Sequence, residues 1–239
     1  MIENEEETME NIIVKTESLE KIYKAGAQRV NALAGINLEI KRREFVSIIG
    51  KSGCGKSTLL HLLGGLDTPT SGSVVIDGME LSKMNAEQLA IFRRRKVGFI
   101  FQQYNLIPDL NIYDNIIFPL ELDGAHIDAP FVKDLLETLH IKDKIQMLPS
   151  MLSGGEQQRV AIARALAIKP SVILADEPTG NLDTIASHEV IGLLKTMAKK
   201  YQQTLIVITH DLDIAQMADR IIRIQDGRIL EGGASFVGE

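Results

Sequence analysis

The residues Gly50-Lys51-Ser52-Gly53-Cys54-Gly55-Lys56-Ser57 carry the most specific chemistry in this chain. They satisfy the pattern G-x-x-x-x-G-K-[ST] in full, with an apolar run before them and a helical pattern after them. Glycines let the backbone curl so that successive N–H groups converge on an anion. The start of the following helix adds its positive end. Lys56 can reach the β- and γ-phosphates of a nucleotide, Ser57 offers a hydroxyl to Mg²⁺, and Thr58 is a further donor.

Two further segments suit the same chemistry. Val172-Ile173-Leu174-Ala175-Asp176-Glu177 is an apolar strand that ends in two carboxylates. Asp176 would hold Mg²⁺ through its water shell, and Glu177 would polarise an attacking water. Ile208-Thr209-His210 ends another apolar strand with an imidazole suited to the γ-phosphate or the water. Gln102, after Val97–Phe101, is placed to reach metal or water, and Gln103 is an equal candidate on spacing alone. Ser153-Gly154-Gly155-Glu156 reads as a capping box that starts a helix over 156–168, and its glycines leave N–H groups for a second phosphate contact.

The elements that must position these residues follow from hydrophobic periodicity. Segments 12–16, 36–40, 45–49, 74–77, 97–101, 172–175 and 205–208 read as strands, and 221–224 with 228–230 as a closing hairpin. Lys56–Leu63 reads as a helix closed by Gly64-Gly65, and 185–200 as a helix with Lys199 and Lys200 at its C-terminal end. Four prolines divide 104–167 into short helical pieces, read as a helical subdomain. Strands alternating with helices predict an α/β fold with a mostly parallel sheet around a phosphate-loop NTPase core, preceded by an antiparallel β portion.

Composition bounds the function. The 239 residues are 45% hydrophobic and 24% charged, as in an ordinary globular chain. No apolar run approaches the ~18 residues that span a bilayer. The net charge is −6, but residues 1–10 hold five glutamates and no basic residue, which leaves 26 basic against 27 acidic groups in the rest. The body is nearly neutral, which argues against a nucleic-acid binder. Residues 1–11 read as an acidic disordered tail, 12–232 as one ATPase domain, and 233–239 as a short tail. The acidic start lacks a basic-then-apolar export signal. The single cysteine, Cys54, fits a reducing cytoplasm. At a helix N-terminus it is expected to react with alkylating reagents unless MgATP covers it. The basic run Arg93-Arg94-Arg95-Lys96 reads as a solvated helix face.

Taken in order, these motifs resemble the ATP-binding subunits of ABC transporters over about residues 12–232. His61–Gly72, Val97–Gln103 and Ala175–Asp183 resemble the lipoprotein-release, macrolide-export and antimicrobial-peptide-export group. The resemblance implies ATP and Mg²⁺, a homodimer in which each site borrows Ser153, Gly154 and Gly155 from the other copy, and a separate membrane subunit. It implies a peripheral place on the cytoplasmic face of the cell membrane, and export or extraction of a peptide, lipoprotein or drug. It assigns the glutamine role to Gln102, adenine stacking to Tyr23, and a dimer contact to Asp183. On residue type alone, Tyr23 reads as half-buried core and Asp183 as a helix N-cap. Related ATPases in transmembrane signalling to cell-wall hydrolases share these motifs, and soluble non-transport ABC ATPases are a further alternative. Two departures stand out: Glu156 where the family commonly has Gln, and Arg43 where a turn glycine is usual.

Overall fold

The computed structural model describes residues 11–26 and 28–230, together with the backbone of Ser235 and Phe236. The acidic segment 1–10 and most of the expected tail 233–239 lie outside the described residues.

The N-terminal third forms an antiparallel sheet of β1 (Ile12–Ala25), β2 (Gln28–Lys41), β4 (Ser71–Ile76) and β5 (Met79–Glu80), in the order β2-β1-β4-β5. The second sheet is mostly parallel. It contains β3 (Phe45–Ile49), β6 (Val97–Phe101), β7 (Val172–Asp176), β8 (Thr204–Ile208), β9 (Arg220–Gln225) and β10 (Arg228–Ile229), in the order β10-β9-β3-β8-β7-β6. β10 and β11 (Ser235–Phe236) pair antiparallel with β9.

β1 and β2 run far beyond the expected 12–16 and 36–40. Register shifts after Ile12, Thr16, Leu19 and Lys21 break the alternation along the pair, so the two-residue period fades although pairing continues.

Among the described residues seven α-helices connect and cover the sheets: α1 (Lys56–Leu63), α2 (Ala86–Lys96), α3 (Ile112–Leu122), α4 (Ala129–Thr138), α5 (Gly154–Ala167), α6 (Thr184–Lys200) and the one-turn α7 (Leu212–Ala215). α1 begins and ends where expected, with Gly64 as its C-cap. α5 starts two residues earlier than expected because Ser153 is its N-cap.

The parallel strands are buried on both faces, as their near-continuous apolar runs require. Val172, Leu174, Ile206 and Ile208 pack with α1 and the antiparallel sheet. Ile173, Ala175, Leu205 and Val207 pack on the other face with residues of α3 to α6.

The segment 104–167 carries α3, α4 and α5. Ion pairs tie its outer edge to the rest of the chain: Arg94 and Arg95 to Asp123, Lys169 to Asp128, and Lys200 to Asp134. The expected solvated face of the basic run is thereby corrected. Arg93 donates to the Gly65 carbonyl at 2.6 Å, and Lys96 pairs with Asp77 at 2.9 Å. Their partners lie in other turns and helices, so each charge is held in place rather than merely solvated. Arg43 adopts φ +66° in the turn between β2 and β3, the conformation the usual glycine supplies.

Candidate active site

The site forms at the carboxyl edge of the parallel sheet. β3, β8, β7 and β6 are neighbours in that order, and the register aligns Ile48 with Ile208, Ile208 with Asp176, and Asp176 with Phe101. The segments that leave these strands therefore emerge side by side. They are the phosphate loop, Thr209-His210, Glu177 and Gln102. Binding at the carboxyl ends of such strands is the general rule for open α/β sheets.

A cleft of about 490 Å³ opens there. Gly50, Ser52, Gly53, Gly55, Lys56, Ser57 and Thr58 form its floor, Glu177 and His210 one wall, and Tyr23, Val30 and Ala32 the other. The Lys56 ammonium donates to the carbonyls of Gly50 and Lys51 at 2.9 and 3.1 Å. Gly55 has φ +105°, and a Cβ there would stand 2.3 Å from the Ala32 carbonyl oxygen. Only glycine lets the loop pass so close to β2.

Ser57 Oγ donates to Asp176 Oδ1 at 3.2 Å, which joins the start of α1 to the end of β7. His210 Nδ1–H donates to Glu177 Oε2 at 2.8 Å, because an ionised carboxylate only accepts. The imidazole is 75% exposed, so its other edge faces outward. Glu177 itself has φ +47°, and its N–H donates to the Ile208 carbonyl at 3.0 Å. Two adjacent strand ends thus fix a strained backbone that aims this carboxylate at the cleft.

Tyr23 forms part of the cleft wall and is 40% exposed. Its hydroxyl donates to Asp67 Oδ2 at 2.8 Å. Burial and that carboxylate together push the phenol pKa up.

Other predicted residues sit apart from the cleft. Gln102 is exposed, and its amide N–H donates to Asn181 Oδ1 at 3.2 Å while Asn181 donates back to the Gln102 carbonyl at 2.8 Å. Ser153, Gly154 and Gly155 start α5. The capping box is present: Ser153 N–H donates to Glu156 Oε2 at 2.8 Å, and Glu156 N–H donates back to Ser153 Oγ at 3.4 Å. The Ser153 amide, with Lys144 at 3.1 Å, holds the Glu156 carboxyl below the usual range. A Cβ on Gly154 would meet the Tyr104 hydroxyl at 2.8 Å, so the two segments meet there with no room for a side chain. Asp183 caps α6, accepting from the Ala186 N–H at 2.8 Å.

Cys54 corrects an expectation. Its side chain is 8% exposed and packs in the apolar core, with Sγ 2.7 Å from where a Cβ on Gly50 would lie. The thiol points inward, away from the cleft, so reagents have little access to it.

Spacing missed three participants. Asp67 holds Tyr23, Asn181 holds Gln102, and Lys21 lies over the Tyr23 ring at 4.9 Å. Asp67 and Asn181 lie 44 and 79 residues from the groups they hold. Lys21, two residues from Tyr23, gave no signal beyond a surface charge.

Comparison with known proteins agrees with this geometry. Residues 33–180 match the family model described as ABC transporter. The lipoprotein-releasing system ATP-binding protein LolD of Legionella pneumophila is 41% identical over 223 residues, covering 92% of this chain and 98% of its own. The macrolide export ATP-binding/permease protein MacB of Brucella melitensis is 46% identical over 220 residues, covering 91% of this chain but 34% of its own. The solved dimeric ATP-binding cassette MJ0796 of Methanocaldococcus jannaschii, in a post-hydrolysis state with ADP and Pi, superposes with a TM-score of 0.84. It is 40% identical and covers 95% of this chain and 100% of its own. With its phosphate loop, strand carboxylates and capped α5 in the family's order, the chain belongs to the ABC transporter family as an ATP-binding ATPase domain.

Proposed function

We propose that this chain is the ATP-hydrolysing subunit of a transporter, working as a homodimer beneath a separate membrane subunit. The observation that carries this reading is the Ser57–Asp176 hydrogen bond at 3.2 Å, one residue from the Glu177–His210 pair. It joins a phosphate-binding floor to two carboxylates with different roles.

The loop N–H groups from Gly50 to Thr58 and the Lys56 ammonium bind the triphosphate of ATP. The Ser57 hydroxyl and Asp176 are hard oxygen donors, a set that suits Mg²⁺ shared with phosphate and water. Gln102 joins this set once its amide turns from Asn181. The ion, when bound, neutralises charge building on the phosphates. Glu177 takes the proton of the attacking water, and His210 orients the carboxylate and meets the γ-phosphate. Tyr23 stacks on adenine.

Ser153, Gly154 and Gly155 stand outside the cleft of their own chain. In a dimer they close the site of the other chain, with Asp183 at the contact, so that ATP held by one copy binds the N-terminus of the other's α5. Among the described residues no helix is long and apolar enough to cross a membrane. The MacB relative carries its permease in the same chain. Here a separate permease would recruit this domain to the cytoplasmic face of the membrane. The substrate would be a lipoprotein, peptide or drug, moved by export or extraction; the LolD and MacB relatives are named for lipoprotein release and macrolide export.

Mixing two inactive proteins tests the shared site. Lys56→Ala lacks the phosphate cation, and Ser153→Arg blocks the borrowed face. In a mixed dimer one composite site combines the intact halves. Recovered phosphate release on mixing is expected. No recovery, in samples where cross-linking shows mixed dimers, would favour sites built within one chain or an obligatory need for two working sites.

A further inference from the structure

The Tyr23 ring is held from two directions, at its hydroxyl and over one face. Its hydroxyl donates to Asp67 Oδ2 at 2.8 Å. Lys21 Nζ lies 4.9 Å from the ring centroid, and donates to Asp67 Oδ1 at 2.6 Å and to the Thr68 carbonyl at 2.7 Å. The Lys21 side chain is only 11% exposed, so this is a sheltered cation–carboxylate pair rather than a loose surface contact. One carboxylate thus takes the tyrosine on one oxygen and the lysine on the other.

Asp67 is itself fixed by backbone. Its N–H donates to the His61 carbonyl at 3.4 Å, and its Oδ1 accepts from the Thr68 N–H at 2.7 Å. The same segment is strapped to β1: Thr70 N–H donates to the Glu20 carbonyl at 2.9 Å, and Ile22 N–H donates to Thr70 Oγ1 at 3.0 Å. Burial pushes the Asp67 carboxyl up, but Lys21, Tyr23 and the Thr68 amide outweigh it and hold the pKa below the usual range. Asp67 therefore stays ionised and acceptor-only at neutral pH, with three donors converging on it: Lys21, Tyr23 and the Thr68 N–H.

The position of Asp67 in the chain adds the functional point. α1 starts at Lys56 and Ser57, on the floor of the cleft, and the chain reaches Asp67 four residues after α1 ends at Leu63. The helix that presents phosphate donors at one end thus carries, beyond its other end, the carboxylate that fixes the aromatic wall. β1 alone would leave Tyr23 near the mouth of the cleft on an exposed strand, free to rotate about χ1. With its hydroxyl anchored and one face occupied by Lys21, the ring has a single face left for a ligand, at a set distance from the phosphate loop.

We propose that Asp67, with Lys21, is a positioning residue for nucleotide binding, presenting the free face of Tyr23 to the adenine base. The inference rests on Tyr23 being the adenine-stacking residue. It assigns the tyrosine hydroxyl, rather than the ring alone, a part in ATP affinity. A free ring would lose rotational entropy on stacking that the anchored ring has already lost.

Isothermal titration of the full chain tests this with two probes, ATP and inorganic tripolyphosphate. The second carries the phosphate chain without a base. Tyr23→Phe keeps the ring and removes the hydroxyl, with its bond to Asp67 and its contact with the Thr58 side chain. It is expected to weaken ATP about tenfold, the scale of one charged hydrogen bond, and to leave tripolyphosphate unchanged. Asp67→Ala is expected to weaken ATP similarly, and the double variant no further, because both remove one interaction. Tyr23→Phe binding ATP like the wild type, while Tyr23→Ala weakens it, would overturn the positioning role and spare the stacking. Tyr23→Ala binding ATP like the wild type would overturn the stacking and the positioning together. Equal losses for ATP and tripolyphosphate would also overturn the positioning, since they would mark general damage to the fold. Melting temperatures of each variant separate that damage from a local effect.

Discussion

The Nδ1 atom of His210 stands 2.8 Å from Oε2 of Glu177, and the N–H of Glu177 donates to the carbonyl of Ile208, two residues before that histidine. The two residues are locked once through side chains and once through backbone. Glu177→Gln keeps an acceptor for His210 and so keeps the cleft in shape. It should bind ATP as tightly as the wild type and hydrolyse it about 10²-fold more slowly or worse. Phosphate release beside an equilibrium ATP titration checks both halves. Normal turnover would remove Glu177 from its role.

Asp77 offers a pH test far from the cleft. It accepts from Arg42 at 2.7 Å, Lys96 at 2.9 Å and Ser171 at 2.8 Å. Burial raises its pKa, yet the hydrogen bonds from Lys96, Arg42 and Ser171 bring it down to about 2 from 3.8. A depressed carboxylate stabilises the fold above its unfolded pKa and loses that contribution as pH falls through the folded value. Asp77→Asn should therefore cost about 2 kcal/mol at neutral pH. The gap to wild type should close between about pH 4 and pH 2. Urea melts across that range measure it, and a pH-independent gap would contradict the ionic origin.

Arg43 at φ +66° is an arginine in a glycine's conformation. Its N–H donates to Thr204 Oγ1 at 2.9 Å, and a glycine keeps that bond. Arg43→Gly should raise stability by about 1 kcal/mol by relieving the Cβ clash. Arg43→Val should lower it. Thermal unfolding of both variants decides the sign.

At the start of α5, Glu156→Gln restores the family's common residue and should leave the melting temperature nearly unchanged, because an amide oxygen also accepts from the Ser153 N–H. Ser153→Ala removes the cap and should cost about 1 kcal/mol. Comparable losses from the two variants would argue that the Lys144 ion pair, not the cap, secures this helix start.

Cys54 should resist alkylation in the native state. Its burial in the core predicts labelling at least about a hundredfold slower than in denaturant, set by local opening rather than by intrinsic thiol reactivity. Mass spectrometry of N-ethylmaleimide labelling in buffer and in guanidinium reads this directly. Fast native labelling would contradict the inward placement.

The phosphate loop, its helix and the carboxylate strand were legible because each is a contiguous run with its own period: Phe45–Ile49, Lys56–Leu63 and Val172–Asp176 stand where the pattern puts them. The long β1–β2 pair was not, because bulges shift which face each residue takes. The partners of charged groups were invisible for another reason. Arg94 and Arg95 meet Asp123 across the packing of α2 on the end of α3, and Tyr23 meets Asp67 across the gap from β1 to α1. No local period encodes such meetings. Asp183 illustrates the reverse: its N-cap geometry was readable from residue type, and the structure shows that cap.

The strand order β3-β8-β7-β6 has one more implication. The phosphate loop, His210, Glu177 and Gln102 each leave a different strand, so the lattice of backbone hydrogen bonds acts as a ruler beneath them. Its graduations are about 4.8 Å, which puts the first and last of the four about 14 Å apart along the sheet edge. Side chains on the flanking helices can change without moving those marks. Only a slipped register, in steps of about 3.3 Å along a strand, rewrites the scale.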